Sequence, residues 1–128
     1  MKDTDTTKEP AIRLVMMPKD TNLHGSIFGG YILSLIDLAA GQHARSVDPK
    51  KYVTKLMREV EFIAPVYVGD SVSFYTDTVR IGKTSITVKV DVVAMRGIDF
   101  LECIKVTSAE VVMVAVDESQ KPIKIKQS

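Results

Sequence analysis

Asp37 stands inside the most apolar stretch of the chain, between Ile36 and Leu38. A carboxylate is costly to bury without a partner, so what surrounds it decides what it does. On a helical wheel it shares a flank with Leu33, Gly41 and Ala44, beside the apolar stripe and not at its centre. Two readings are open: a solvated flank residue, or a carboxylate placed at the edge of a cleft. Fifteen residues earlier comes Asn22, in a stretch that continues with His24, Gly25, Ser26 and the pair Gly29-Gly30. Glycine inside a helix costs about 1 kcal/mol relative to alanine, so a pair at a helix start signals a need for bare backbone. Either the unpaired N–H groups of the first turn receive a developing oxyanion at the positive end of the helix dipole, or the glycines only allow close packing on a strand. His24 is read as a solvated turn residue and stays outside the catalytic set.

These residues need elements to position them. Ala11 to Met17 is a short apolar run closed by Pro18, read as a first strand. Lys19 to Ser26 is dense in turn formers and reads as a loop. From about Phe28 to Ser46 the residues Ile32, Leu35, Ile36, Ala39 and Ala40 recur at helical spacing, predicting one helix roughly 28 Å long. Ser26 is the expected cap, and Asp48-Pro49 the expected stop. The period then falls to two. Four strands are predicted at Tyr52 to Ile63, Ser71 to Ile81, Ser85 to Met95 and Glu102 to Val116, running as a meander with turns at Pro65, Gly69-Asp70, Gly82-Lys83 and Gly97. The helix is expected to lie wrapped across the sheet. Val111 to Val116 is apolar on both faces, which fits an edge strand covered by a second subunit or a fully buried central strand.

Length and composition set the limits. A chain of 128 residues, 45% apolar and 26% charged, suits a single compact domain, expected over residues 11–117 between flexible ends at 1–10 and 118–128. A net charge of +1 argues against nucleic acid as a partner. Cys103 is the only cysteine, so an intrachain disulfide is impossible, no thiolate metal cage is expected, and a reducing, cytoplasmic setting fits best. Met1 to Pro10 is polar where an export signal would be apolar. Tyr31 to Ala40 is broken by Ser34 and Asp37 and is about half the length of a membrane span. There is no internal repeat.

The run Asp20-Thr21-Asn22-Leu23-His24-Gly25-Ser26-Ile27-Phe28-Gly29-Gly30, followed by Leu33-Ser34-Leu35-Ile36-Asp37, resembles the hotdog-fold acyl-CoA thioesterases of the broad-specificity bacterial and cytosolic type. Phe62, Pro65, Val66, Val68, Gly69 and Asp70, and then Gly82-Lys83-Thr84-Ser85, are similar to later motifs of that family. The likeness covers about residues 10–116. It implies an α+β hotdog fold, a long helix wrapped by a curved five-stranded antiparallel sheet, in dimers that often assemble as trimers of dimers. It also implies that Asp37 acts as base or nucleophile on a thioester carbonyl, that Asn22 positions water or substrate, and that Gly29 and Gly30, the latter first, donate to the oxyanion. No cofactor is expected, since CoA would belong to substrate and product.

The chemistry suits these groups. A thioester has a good leaving thiolate, so its hydrolysis needs chiefly an activated attack and a stabilised oxyanion. A carboxylate of ordinary acidity is ionised at pH 7 and serves either role. Lys83, Thr84 and Ser85 in the turn after the third strand could meet CoA phosphate or pantetheine, or form an ordinary hairpin. Arg58 stands where relatives carry an acid; it could meet a phosphate while Glu59 takes the acidic role, and strand alternation puts only one of them on the active-site face. The resemblance favours an acyl-CoA hydrolase. The alternatives are a non-catalytic acyl-CoA binding or sensing hotdog module, and a hotdog dehydratase, whose His-Phe-Pro motif is missing.

Overall fold

The computed structural model describes residues 4–126. Strand β1 spans Ile12–Val15, a 3-10 turn Pro18–Asp20, helix α1 Gly29–Val47, and strands β2 to β5 Lys51–Phe62, Ser71–Ile81, Ser85–Arg96 and Glu102–Val116. The periodicity located each element to within a few residues. It did not give their order in space. The sheet runs β1-β3-β4-β5-β2, antiparallel throughout, so only β3, β4 and β5 form a meander. β2 bypasses its chain neighbour β3 and pairs with β5, with Thr54 opposite Met113 and Arg58 opposite Glu110. The four-strand meander is thus corrected.

Alternating side chains of β3, β4 and β5 put Val72, Phe74, Ile86, Val88, Val90, Val92 and Val111 on one face, all fully buried. Against that face α1 lays Ile32, Ile36, Ala39, Ala40 and Ala44. Each large apolar side chain buried this way is worth roughly 1.5–3 kcal/mol. The alanines bring the helix backbone close to the sheet, and a Leu at Ala40 would overpack the contact at a cost of about 1–3 kcal/mol. β5 lies inside the sheet between β4 and β2, in keeping with the central-strand reading, and its face toward α1 carries Val111, Met113 and Ala115. The sheet's edge strands are the short β1 and the longer β2, and on β2 Val53, Leu56, Val60 and Phe62 are exposed.

Ser26 does not cap α1, because it is tied back to Asn22 within the loop; Phe28 occupies the cap position without a side-chain bond. The helix stops at Asp48 as expected, its N–H reaching Ala44 O at 3.0 Å. The ends differ from expectation. Residues 6–11 follow β3: Tyr75 OH donates to Thr6 O, Lys8 pairs with Asp77 at 2.6 Å, and Ala11 N reaches Phe74 O. The C-terminal segment, expected loose, turns back through Asp117 and docks. Ile123 N donates to Ala115 O, Ile125 N to Lys83 O and Lys126 N to the Asp48 carboxylate, while Ile125 enters the core at 4% exposure. Residues 1–3 and 127–128 of the two expected flexible ends lie outside the described residues.

Candidate active site

Burial of Ile36 and Ala40 against the sheet turns Asp37 sideways, toward β2. There the Thr54 hydroxyl donates to Asp37 Oδ1 at 2.5 Å and sits 3.7 Å from Met113 Sδ. The bond fixes one carboxylate oxygen and leaves Oδ2 without a hydrogen bond to any described residue. Thr54 escaped the sequence reading, since a threonine in a strand is unremarkable and its partner is 17 residues away.

Asn22 is committed to its own loop. Its Oδ1 accepts from His24 N at 2.7 Å and Ser26 N at 3.3 Å, and Nδ2 donates to Ser26 Oγ at 3.0 Å. Gly25, at φ +86°, completes the tight return. This loop sets the entry into α1: Ile27 N bonds Val66 O and Phe28 N bonds Asp20 O. His24 is exposed, in keeping with a turn residue.

The two glycines meet different neighbours. A Cβ on Gly30 would come 2.5 Å from the Phe28 ring, and one on Gly29 would come 3.3 Å from the Phe62 ring. Only Gly29 thus packs on a strand, against Phe62 of β2; Gly30 meets the exposed ring of Phe28, the helix's own cap residue. Their N–H groups open α1, ahead of the first intrahelical bonds that Tyr31 N and Ile32 N make to Phe28 O. Each glycine lines a different cavity. Gly29 borders one of about 300 Å³ with Ile27, Ile32, Phe62 and Pro65, and Gly30 one of about 360 Å³ with Lys19, Phe28 and Tyr31.

Asp37 follows Gly30 by seven residues, about 10 Å of helix rise. One chain accordingly brings Asp37 to Thr54 but not to Gly30 or Asn22. Arg58 is placed elsewhere again. Its register partner Glu110 precedes the core residue Val111, so both face away from α1, and Arg58 Nε donates to Glu110 Oε1 at 3.0 Å. The strict alternation expected for Arg58 and Glu59 fails because β2 bulges between Arg58 and Glu61, with Glu59 at φ 55°.

Lys83, Thr84 and Ser85 form the turn between β3 and β4, closed by Gly82 N to Ser85 O at 2.7 Å. Thr84 O and Lys83 O are taken by Ala115 N and Ile125 N. A cleft of about 640 Å³ opens here, lined by Arg80, Ile81, Gly82, Lys83, Lys124 and Ile125. Arg80 and Lys124 were missed. Strand spacing places Ile86, Met113 and Thr54 side by side on β4, β5 and β2, so the turn begins about 10 Å from Thr54.

Among the described residues no group of three or more His, Cys, Asp or Glu could hold a metal ion, and no helix is long and apolar enough to cross a membrane. Residues 24–100 match the family model of the thioesterase superfamily. The chain belongs to that superfamily. A thioesterase of Campylobacter jejuni, a hexameric hotdog-fold protein, superposes with a TM-score of 0.89 at 44% identity, covering 95% of this chain and 93% of that one. A Zymomonas mobilis protein named as an acyl-CoA thioester hydrolase is 39% identical over 91% of this chain and 78% of its own. The acyl-CoA thioester hydrolase YciA of Salmonella typhimurium is 36% identical over 94% and 92%. One long helix on a five-stranded antiparallel sheet is the hotdog fold that the motifs implied.

Proposed function

We propose that this thioesterase-superfamily chain hydrolyses acyl-CoA thioesters to a free carboxylic acid and CoA. The observation that carries the reading is the oriented carboxylate of Asp37, held by Thr54 beside an open sheet edge. With Oδ1 engaged, Oδ2 takes a proton from water as the water adds to the thioester carbonyl, or attacks that carbon itself. Helix-start N–H groups at Gly30 and Gly29 stabilise the resulting oxyanion, and its collapse expels the CoA thiolate, which acquires a proton; on the direct-attack route the acyl group is left as a mixed anhydride with Asp37, which water hydrolyses to the free acid and the restored carboxylate. These residues perform the hydrolysis without a resident cofactor.

The 10 Å offset supports a shared site, with Asp37 and Thr54 from one chain and Asn22, Gly29 and Gly30 from its partner. Pairing two β2 edges about a two-fold axis would satisfy the open backbone groups, cover Val53, Leu56 and Val60, and create two equivalent sites. Trimerisation of such dimers would give a hexamer, the assembly named for the Campylobacter relative. Lys83, with Arg80 and Lys124, supplies three cations suited to the phosphates of CoA. A cytoplasmic location accords with that substrate.

Steady-state hydrolysis across an acyl-CoA series, with a thiol reagent following released CoA, tests the reading. Turnover of at least one member that depends on Asp37 is expected. Tight binding of acyl-CoA without release of CoA would instead establish the non-catalytic module.

A further inference from the structure

Asp70 is buried, at 2% exposure, yet no step of the hydrolysis uses it. Its carboxylate is engaged on both oxygens: Oδ1 accepts from Arg96 Nε at 2.9 Å, and Oδ2 accepts from Arg96 Nη2 at 2.8 Å and from Tyr67 N at 2.9 Å. The same Nη2 donates to Pro65 O at 3.2 Å, and the guanidinium lies 4.8 Å from the centre of the Tyr67 ring. The two charges thus close around Pro65, Val66 and Tyr67, which belong to no strand or helix. Stability alone is a poor reason for such a pair, since a buried ion pair is often replaced by apolar side chains without loss. What it adds is direction, because a two-pronged contact between guanidinium and carboxylate fixes angle as well as distance.

That direction is passed on to the helix start. The connection is tied down at both ends, by Ile63 N and Ala64 N to Val106 O and by Gly69 N to Met16 O. Between these anchors Val66 O accepts from Ile27 N at 2.7 Å, and both side chains are buried. Ile27 directly precedes Phe28, the cap residue of α1, whose carbonyl receives the first helical bonds from Tyr31 N and Ile32 N. The peptide units that carry the Gly29 and Gly30 N–H groups follow at once, so a shift of Val66 O turns them. Oxyanion stabilisation depends on where those groups point, and a displacement of about 1 Å can cost on the order of 100-fold in rate.

We infer that Asp70 and Arg96 are positioning residues for the oxyanion donors: they fix Val66 O, Val66 O fixes Ile27 N–H, and Ile27 sets the direction in which the Gly29 and Gly30 N–H groups point. The inference rests on the thioesterase reading and adds to it two residues that never touch substrate. Their effect on the rate travels through one backbone hydrogen bond. Loss of the pair therefore lowers turnover and spares substrate binding.

The test compares the unmodified protein with Arg96→Met, which keeps an unbranched apolar stem, and Arg96→Lys, which keeps the charge and loses the fork. Acyl-CoA hydrolysis per folded protein should show kcat reduced about tenfold in Arg96→Met with KM within about twofold, and a smaller loss of about threefold in Arg96→Lys. Isotope-labelled glycine gives a second readout. The amide NMR signals of Gly29 and Gly30 should move in Arg96→Met, while those of Gly41 in the middle of α1 and Gly82 in the turn after β3 stay in place. Should Arg96→Met not fold, Arg96→Lys carries both readouts alone. Unmoved Gly29 and Gly30 signals, or a kcat per folded protein equal to that of the unmodified chain, would overturn the proposal while leaving the hydrolase reading intact. Failure of the unmodified protein to cleave any thioester would overturn both.

Discussion

The hydroxyl of Thr54 donates to the carboxylate of Asp37 at 2.5 Å, joining the middle of α1 to the open edge strand. Neither residue stands out by burial. Their pairing gives a carboxylate one fixed and one available oxygen.

Replacing Asp37 by Asn keeps size and the acceptor for Thr54 but removes basicity and nucleophilicity. Turnover should fall by about 100-fold or more with the unfolding midpoint nearly unchanged. Near-native kcat in Asp37→Asn would remove the residue from the mechanism.

Thr54→Val should lower kcat by about tenfold with little change in KM, because the carboxylate loses orientation and not charge. Thr54→Ser should restore most of the rate. Equal damage from both variants would mean that Thr54 acts through packing on Met113.

Active sites shared between chains predict complementation. Asn22→Ala chains co-refolded with Asp37→Asn chains should place both lesions in one site of each mixed dimer and leave the other native, so roughly a quarter of all sites work after random pairing. No recovered activity in mixed dimers verified by mass spectrometry would exclude the shared arrangement.

Lys83→Ala should raise KM for full acyl-CoA more than it lowers kcat, and Lys124→Ala should act in the same direction, since both line one cleft. Thioesters truncated before the nucleotide should be indifferent to either change. An equal response to both substrate types would place the phosphates elsewhere.

His43 ties α1 to β3 through Nδ1 to the Thr76 hydroxyl at 2.9 Å and Nε2 to the Thr78 hydroxyl at 2.8 Å. Burial holds its pKa below the usual 6.5, Asp77 opposing the shift and Lys8 adding to it. A lowered folded pKa means that the unfolded chain binds more protons, so this contribution to stability is complete above about pH 6.5 and is lost as pH falls below it. The urea midpoint should drop more between pH 7.5 and 5.5 in the unmodified protein than in His43→Gln; parallel curves would acquit His43.

The helix was legible because Ile32, Ile36, Ala39 and Ala40 keep its period, and the strands because Ile86, Val88, Val90 and Val92 keep theirs. Strand order was not, since nothing local in β2 says that Thr54 will face Met113 and not a residue of β3. The bulge at Glu59 hid the facing of Arg58 for the same reason: alternation is inferred from an unbroken ladder. Asp37 and the glycine pair were visible as departures from helix chemistry. Thr54 was invisible because its role exists only through a partner brought close by folding. The docked tail did leave a trace, the alternation Ile123-Lys124-Ile125-Lys126, masked by its polar company.

The sheet order also governs how the chain emerges during synthesis. β1 waits for residues 71–74 and β2 for residues 107–116, so both strands made first end up on the outside of a sheet whose middle is made last. At about 5–20 residues per second, the apolar stripe of α1 remains without its covering sheet for several seconds after Val47 has been joined. A nascent chain arrested just after Phe62 should therefore be readily cleaved by protease, and resistance should arrive abruptly once Val116 has cleared the ribosome.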